Sequence, residues 1–311
     1  MPKREKNLSP RLWCAPLLLA LLCAGPALAQ EPLTKTTLVV PLGETPVKVN
    51  VYERRGASVT FVAPHHNEQT ALAAAKEAVA RKGGRLVEVE SFDERGRPAR
   101  RLSFALRAKH YSVDPNRIFT ANGRRCGRVA PEADAAVRAF ADGLLKIIFA
   151  PGGDRLRDGE PFVVAVHNNG DVGEKPPQER DADLTAAAFV RGGAARPFAR
   201  GAFQEQAAGV YLSNLENDED NFVFLSTPRL LWPFAERGFN VVVQKPAAEL
   251  QDAGCGVDDG SLSVYSARHR IPYVCLEADA AHGAERQRQM LAAVYPLLPA
   301  AAAAASTGGL K

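Results

Sequence analysis

Sulfur is scarce in this chain: its 311 residues include five cysteines and two methionines, and no pair of cysteines has the C-x-x-C spacing. A metal centre built from thiolates is therefore not expected. Aromatic residues make up 7% of the chain. No G-x-S-x-G elbow occurs, which removes the hydrolase reading that depends on a serine nucleophile. The apolar run Leu12–Leu22 is too short to cross a bilayer comfortably, and nothing after it reaches transmembrane length. Internal repeats and coiled-coil heptads are also missing.

What the first residues do contain is an export pattern. Lys3, Arg4, Lys6 and Arg11 precede the apolar run, and Ala27-Leu28-Ala29 before Gln30 has the small-x-small form of a signal-peptidase site. Cys23 raises the question of a lipid anchor, but Leu22 before it fits that signal poorly. Residues 1–29 are expected to be a cleaved signal peptide. The mature chain would then be secreted or periplasmic, with no stable membrane insertion. Its removal takes away four basic groups and one acidic group, so the net charge falls from +4 to about +1. A nucleic-acid partner is not expected, because a basic surplus should survive processing. Cys126, Cys255 and Cys275 remain, enough for one disulfide and one odd thiol, with the pairing open.

The mature part alternates strand and helix patterns. Thr37–Val40 and Val47–Val51 read as strands of an N-terminal β segment over 30–57. Ser58–Val62 is a compact apolar strand ending at Pro64. An Ala-rich helix follows over Gln69–Lys82, closed by Gly83-Gly84, and Arg85–Val89 is the next strand. Further strands are expected at Phe162–Val166, Asn221–Leu225, Asn240–Val243 and Ile271–Leu276, with helices over 133–150, 229–237 and 284–298. Residues 171–200 read as a long loop and 299–311 as a flexible tail. That order predicts an α/β fold with a mixed, mostly parallel twisted sheet, helices on both faces, and a single catalytic domain over 58–298.

Chemistry-bearing residues stand where strands end, as ligand sites of open α/β sheets do. Pro64-His65-His66-Asn67-Glu68 follows one strand, and its H-x-x-E pair offers an imidazole and a carboxylate to one metal ion. Such pairs are often merely solvated. The neighbouring imidazole, His66, is two residues from Glu68 and should point away if His65 faces the metal. His167 ends another apolar strand and is a third candidate ligand, although a histidine capping a strand is the blander account. Asn116-Arg117, within Asp114–Phe119, suits the grip of a carboxylate, because a guanidinium forks onto it bidentately. A surface turn would look similar. Glu277 ends a strand that is otherwise apolar, where a carboxylate needs a cleft, a cation or a partner.

In this order the four elements resemble the zinc metallocarboxypeptidases and their aspartoacylase and succinylglutamate desuccinylase relatives. The pattern shared is H-x-x-E, then Asn-Arg, then a lone His after a strand, then a catalytic Glu, matched by His65/Glu68, Asn116-Arg117, His167 and Glu277. Gly260-Ser261-Leu262, then Ile271-Pro272-Tyr273 leading to Glu277, is similar to the carboxypeptidase C-terminal segment. His65-His66-Asn67-Glu68 and Asp114–Phe119 look more like the deacylase branch. The likeness spans about residues 58–298. Three features depart from it: Gln251–Gly260 lacks the mobile tyrosine of carboxypeptidases, with Tyr265 the nearest; Lys109, with Arg107 two residues earlier, stands at the deacylase spacing where the family has an arginine; and, with 34 residues after Glu277, the appended β-rich domain of the deacylases is not expected.

The resemblance implies one Zn2+ per chain on His65, Glu68 and His167, with Glu277 as proton shuttle. It implies Asn116 and Arg117 as the carboxylate clamp, and Lys109 or Arg107 as the cation facing the oxyanion. The activity expected is hydrolysis of an amide next to a free carboxylate, carboxypeptidase-like, on cell-wall or other peptides. Two alternatives stand beside it: deacylation of an N-acyl amino acid, and an inactive carboxylate-binding module.

Overall fold

The computed structural model describes residues 32–149, 162–169, 206–211, 221–250 and 254–298. The expected signal peptide, the loop over 171–200 and the tail over 299–311 lie outside the described residues.

Two long strands open the fold, β1 (Thr34–Leu42) and β2 (Thr45–Arg54), paired antiparallel around a turn at Gly43. Gly43 has φ +60°, and a Cβ there would come 2.5 Å from the carbonyl of Ala105, so only glycine fits. Next come β3 (Thr60–Ala63), helix α1 (Gln69–Lys82) and β4 (Gly84–Val89). The alanines of α1 favour helix and let it lie close on the sheet through Ala71, Leu72, Ala74, Ala75 and Val79. Gly83, with φ +81°, stops it.

A hairpin that the sequence did not announce follows, β5 (Leu102–Leu106) and β6 (Lys109–Val113). Its two turn residues, Arg107 and Ala108, both have positive φ, the conformation for which hairpins usually recruit Asn-Gly. Helices α2 (Ala121–Cys126) and α3 (Asp134–Ile148) lead to β7 (Val163–Asn169). Beyond it lie β8 (Ala207–Tyr211), β9 (Phe222–Leu225), α4 (Leu231–Ala235), β10 (Asn240–Gln244), α5 (Ala247–Leu250) and α6 (Leu262–Arg268). Strand β11 (Tyr273–Asp279) and helix α7 (Ala284–Val294) complete the described fold. The helix expected over 229–237 is shorter, because Pro228 starts a 3-10 turn before α4.

Nine strands form one mixed sheet in the order β1-β2-β4-β3-β7-β11-β9-β10-β8. Its centre, β4-β3-β7-β11, is parallel, and antiparallel pairs occur on both flanks. Strand residues alternate cleanly between two cores. Val62, Val163, Ala165, Phe224 and Cys275 face α3 and α6, while Phe61, Val164, Val166, Leu225 and Leu276 face α1 and α7. The polypeptide from Pro32 onward clusters as one unit.

Candidate metal centre

Three adjacent parallel strands end at the same edge of the sheet, and each delivers a polar side chain there. β3 runs into the segment that carries His65, and Glu68 stands at the N-terminus of α1. His167 lies near the end of β7, and Glu277 is its direct partner in register on β11. Both fall on the same pleat face as Ala165 and Cys275, so they emerge beside one another.

His65 Nδ1 is 2.8 Å from Glu68 Oε1, and His167 Nδ1 is 2.9 Å from Glu68 Oε2. One ligand atom from each of the three residues can be chosen so that all lie within 4.8 Å of one another. All three side chains are buried. Burial pushes the Glu68 carboxyl up, but the two imidazoles outweigh it and hold it far below the usual carboxylate range. Burial lowers His167, and the Glu68 and Glu277 carboxylates more than reverse this, leaving it raised. Glu277 is raised by burial and by the nearby Glu68 charge, with His167 partly offsetting them.

The donor set suits a cation on its own chemistry. His65 Nε2 sits 2.9 Å from Asp114 Oδ1, and a carboxylate can only accept, so that nitrogen carries the proton. In a neutral ring, Nδ1 then turns a lone pair toward Glu68, another acceptor. Only a proton or a metal ion between them resolves two facing lone pairs. Asp114 thus orients the ligand from behind, the arrangement that metal-binding histidines ordinarily have. Two imidazoles and a carboxylate are ligands that zinc accepts, with a coordination position left over for water.

His66 is placed elsewhere. Its Nδ1 is 2.7 Å from the Ser91 carbonyl and its Nε2 is 3.4 Å from Glu88, with the ring edge-on to Phe92. Asn116 and Arg117 do reach the cleft and line it together with His65, Glu68, His167 and Glu277. Asn116 Oδ1 accepts from the Leu262 N–H, and Arg117 Nη1 bonds the Asn116 carbonyl and lies 3.4 Å from Asp259 Oδ2.

Lys109 and Arg107 are not brought to the cleft. Arg107 forms the β5–β6 turn, and Lys109 is exposed, 3.3 Å from Glu132 Oε1. The hairpin consumes this stretch and turns it away from His65, Glu68 and His167. The cation beside the His65–Glu68–His167 cluster is Arg100, upstream of both, whose Nη1 is 3.0 Å from Glu68 Oε1 and whose Nε is 3.4 Å from Asp114 Oδ2. Sequence reasoning missed it because Pro98-Ala99-Arg100-Arg101 reads as one more basic turn. Asp114 was visible only as a turn former, since its partner His65 is 49 positions away. Tyr265 packs on Phe119 and Phe149 and is not part of the cleft wall, where Tyr273 and Cys275 stand instead. The Cys275 thiol is raised well above its ordinary value by burial and by Glu277, 3.1 Å away. The disulfide left open by the sequence joins Cys126 to Cys255, and Cys275 is the free thiol.

No family model matches the chain, and the search of curated proteins finds no match. Among solved structures, the chain is similar to a succinylglutamate desuccinylase/aspartoacylase from Rhodobacter sphaeroides, at 12% identity over 91% of this chain and 71% of that one, TM-score 0.39. It is similar to an aspartoacylase family protein from Mesorhizobium loti, at 13% identity over 87% and 69%, TM-score 0.35. A protein from Shewanella denitrificans, described provisionally as a metallopeptidase, is similar at 12% identity over 85% and 82%, TM-score 0.38.

Proposed function

We propose that the protein is an exported, zinc-dependent hydrolase that cleaves an amide bond in a substrate bearing a free carboxylate, with peptides as the substrate class. One observation carries this reading: the ligand atoms of His65, Glu68 and His167 converge within 4.8 Å, and Glu277 stands in register beside His167. Three protein ligands with a carboxylate next to them form the arrangement of a hydrolytic centre, whereas a structural zinc site uses four closed ligands. The Cys126–Cys255 disulfide and the basic, apolar N-terminus both favour an oxidising compartment. Location makes cell-wall peptides one candidate substrate.

Zinc, when bound by the three ligands, supplies Lewis acidity toward water and the scissile carbonyl. Glu277 takes the proton from the attacking water and passes it to the leaving amine. Burial and the nearby Glu68 charge raise its carboxyl above the ordinary glutamate value, the direction that favours a proton acceptor. Arg100 offers N–H donors to the oxygen on which charge develops, in the role expected of Lys109 or Arg107. Arg117, positioned by Asn116, holds the carboxylate.

The test pairs metal analysis with kinetics on peptides and N-acyl amino acids. Glu277→Gln should keep its metal and its substrate affinity while kcat falls by about 10²–10⁴. Full activity in that variant would sink the mechanism. Turnover confined to N-acyl amino acids would move the protein to the deacylase reading. Carboxylate binding without any turnover in the metal-loaded wild type would make it a binding module.

A further inference from the structure

Arg117 does not face the cleft alone. Asp259 Oδ2 lies 3.4 Å from its Nη1, and both side chains line the same wall. The two are held there by backbone that cannot retreat. Asp259 Oδ1 accepts the Ser261 N–H at 2.9 Å, closing a tight turn. The next residue, Gly260, has φ +76°, and a Cβ on it would come 2.6 Å from the Arg117 carbonyl. The Gly260 carbonyl accepts the Phe119 N–H, and the Cys126–Cys255 disulfide joins the two segments again.

A fixed anion beside the carboxylate clamp has a consequence for the ligand. A lone carboxylate that docks on Arg117 is brought beside the Asp259 carboxylate, and like charges at that range repel. A ligand that carries its own cation next to the carboxylate avoids this. The shortest such ligand group is the head of an α-amino acid, with carboxylate and ammonium on one carbon.

We propose that Arg117 and Asp259 form a subsite for an amino-acid zwitterion, Arg117 taking the carboxylate and Asp259 the ammonium. The proposal rests on the functional reading above in taking Arg117 as the carboxylate group. It also narrows the substrate. An α-nitrogen that is charged is not acylated, so where the clamped residue supplies the leaving amine, as in the reading above, the scissile amide is on another nitrogen of that residue. The substrate class is a peptide whose terminal residue is a diamino acid joined to the rest through its side-chain amine, with the α-amine and α-carboxylate free. Hydrolysis consumes one water, breaks the amide bond between the acyl carbon and that distal nitrogen, and releases a carboxylic acid and the free diamino acid.

The probes are lysine, as each enantiomer, and 6-aminohexanoate, which has the same carboxylate and terminal amine and lacks only the α-amine. Isothermal titration of the metal-loaded wild type should show one lysine enantiomer binding about tenfold more tightly than 6-aminohexanoate. In Asp259→Asn, whose amide oxygen can still accept the Ser261 N–H, the ratio should fall to within about twofold. Arg117→Ala should weaken both ligands. Equal affinity of the wild type for the two probes, including no measurable binding of either, overturns the subsite, and so does an unchanged ratio in Asp259→Asn. The readout is binding and needs no turnover. Amide hydrolysis with a flat ratio removes the subsite alone, and a sound ratio without hydrolysis removes the enzymatic reading alone.

Discussion

His65 divides its two ring nitrogens between two carboxylates, Nδ1 toward Glu68 and Nε2 toward Asp114. Asp114 also accepts the Asn116 N–H, so one side chain ties His65, a proposed metal ligand, to the turn that carries Arg117. Burial raises the Asp114 carboxyl, but His65, Arg100 and Arg117 outweigh it and keep it well below its ordinary value. Asp114→Ala should lower zinc affinity by about 10–100-fold, the usual effect of losing an outer partner of a ligand histidine. Competition with a chromogenic chelator measures it, and wild-type affinity in the variant would show that His65 needs no such support. A second contrast separates two cations. Arg100→Ala should reduce kcat by about 10²–10³. Lys109→Ala should stay within about twofold of wild type, because the exposed Lys109 ammonium pairs with Glu132 outside the cleft. Steady-state kinetics of the two variants on one substrate decides the matter.

At the scale of elements, the proposed clamp and the proposed metal ligands are held by different parts of the fold. The ligands depend on β3, α1 and β7, braced by Asn168, whose Oδ1 caps the Ala71 N–H and whose Nδ2 bonds the Ala278 carbonyl. The clamp depends on α2 and the segment before α6, which meet backbone to backbone. A Cβ on Gly123 would lie 2.0 Å from the Gly260 Cα, so Gly123→Ala forces the two apart. That variant should raise KM for carboxylate-bearing substrates severalfold while retaining its metal. Loss of metal in parallel would mean that the two halves of the site are not independent. The disulfide closes a loop of 129 residues across the same junction. Its replacement by two serines should cost about 2–4 kcal/mol of stability, read by denaturant unfolding.

For the molecule as a whole, the buried ligand cluster ties stability to pH and metal together. In metal-free protein, His167 has a folded pKa above its unfolded value of 6.5, so its contribution is full below that value and is lost as pH rises through the folded one. Glu68 works the other way: its depressed carboxyl stabilises above 4.5 and that contribution is lost as pH falls through the folded value. Chelated protein should therefore have a lower Tm at a pH well above 6.5 than at pH 6, whereas zinc-loaded protein should not, because the ion takes the proton's place and binds the folded state. Thermal scans at the two pH values, with chelator and with zinc, check this. Parallel pH trends in both forms would remove the cluster as the cause.

The α/β order, the apolar central strands and the strand-end positions of His65, His167 and Glu277 were legible in the sequence, because burial on both faces leaves continuous apolar runs with polar residues only where the strands stop. The α1 boundaries were legible too, from alanine content and a glycine pair. The β5–β6 hairpin was not, since Arg107 and Ala108 take up positive φ without the glycine or asparagine that signals it. The sequence by itself determined which residue types end the strands and where the chain must turn. Only the tertiary structure decided that Arg100 and not Lys109 reaches the cleft, that Asp114 backs His65, that Cys126 pairs with Cys255, and that Asp259 confronts Arg117. Each of these is a meeting of segments distant along the chain or turned by a hairpin, and side chains meet there because of packing that no local pattern encodes.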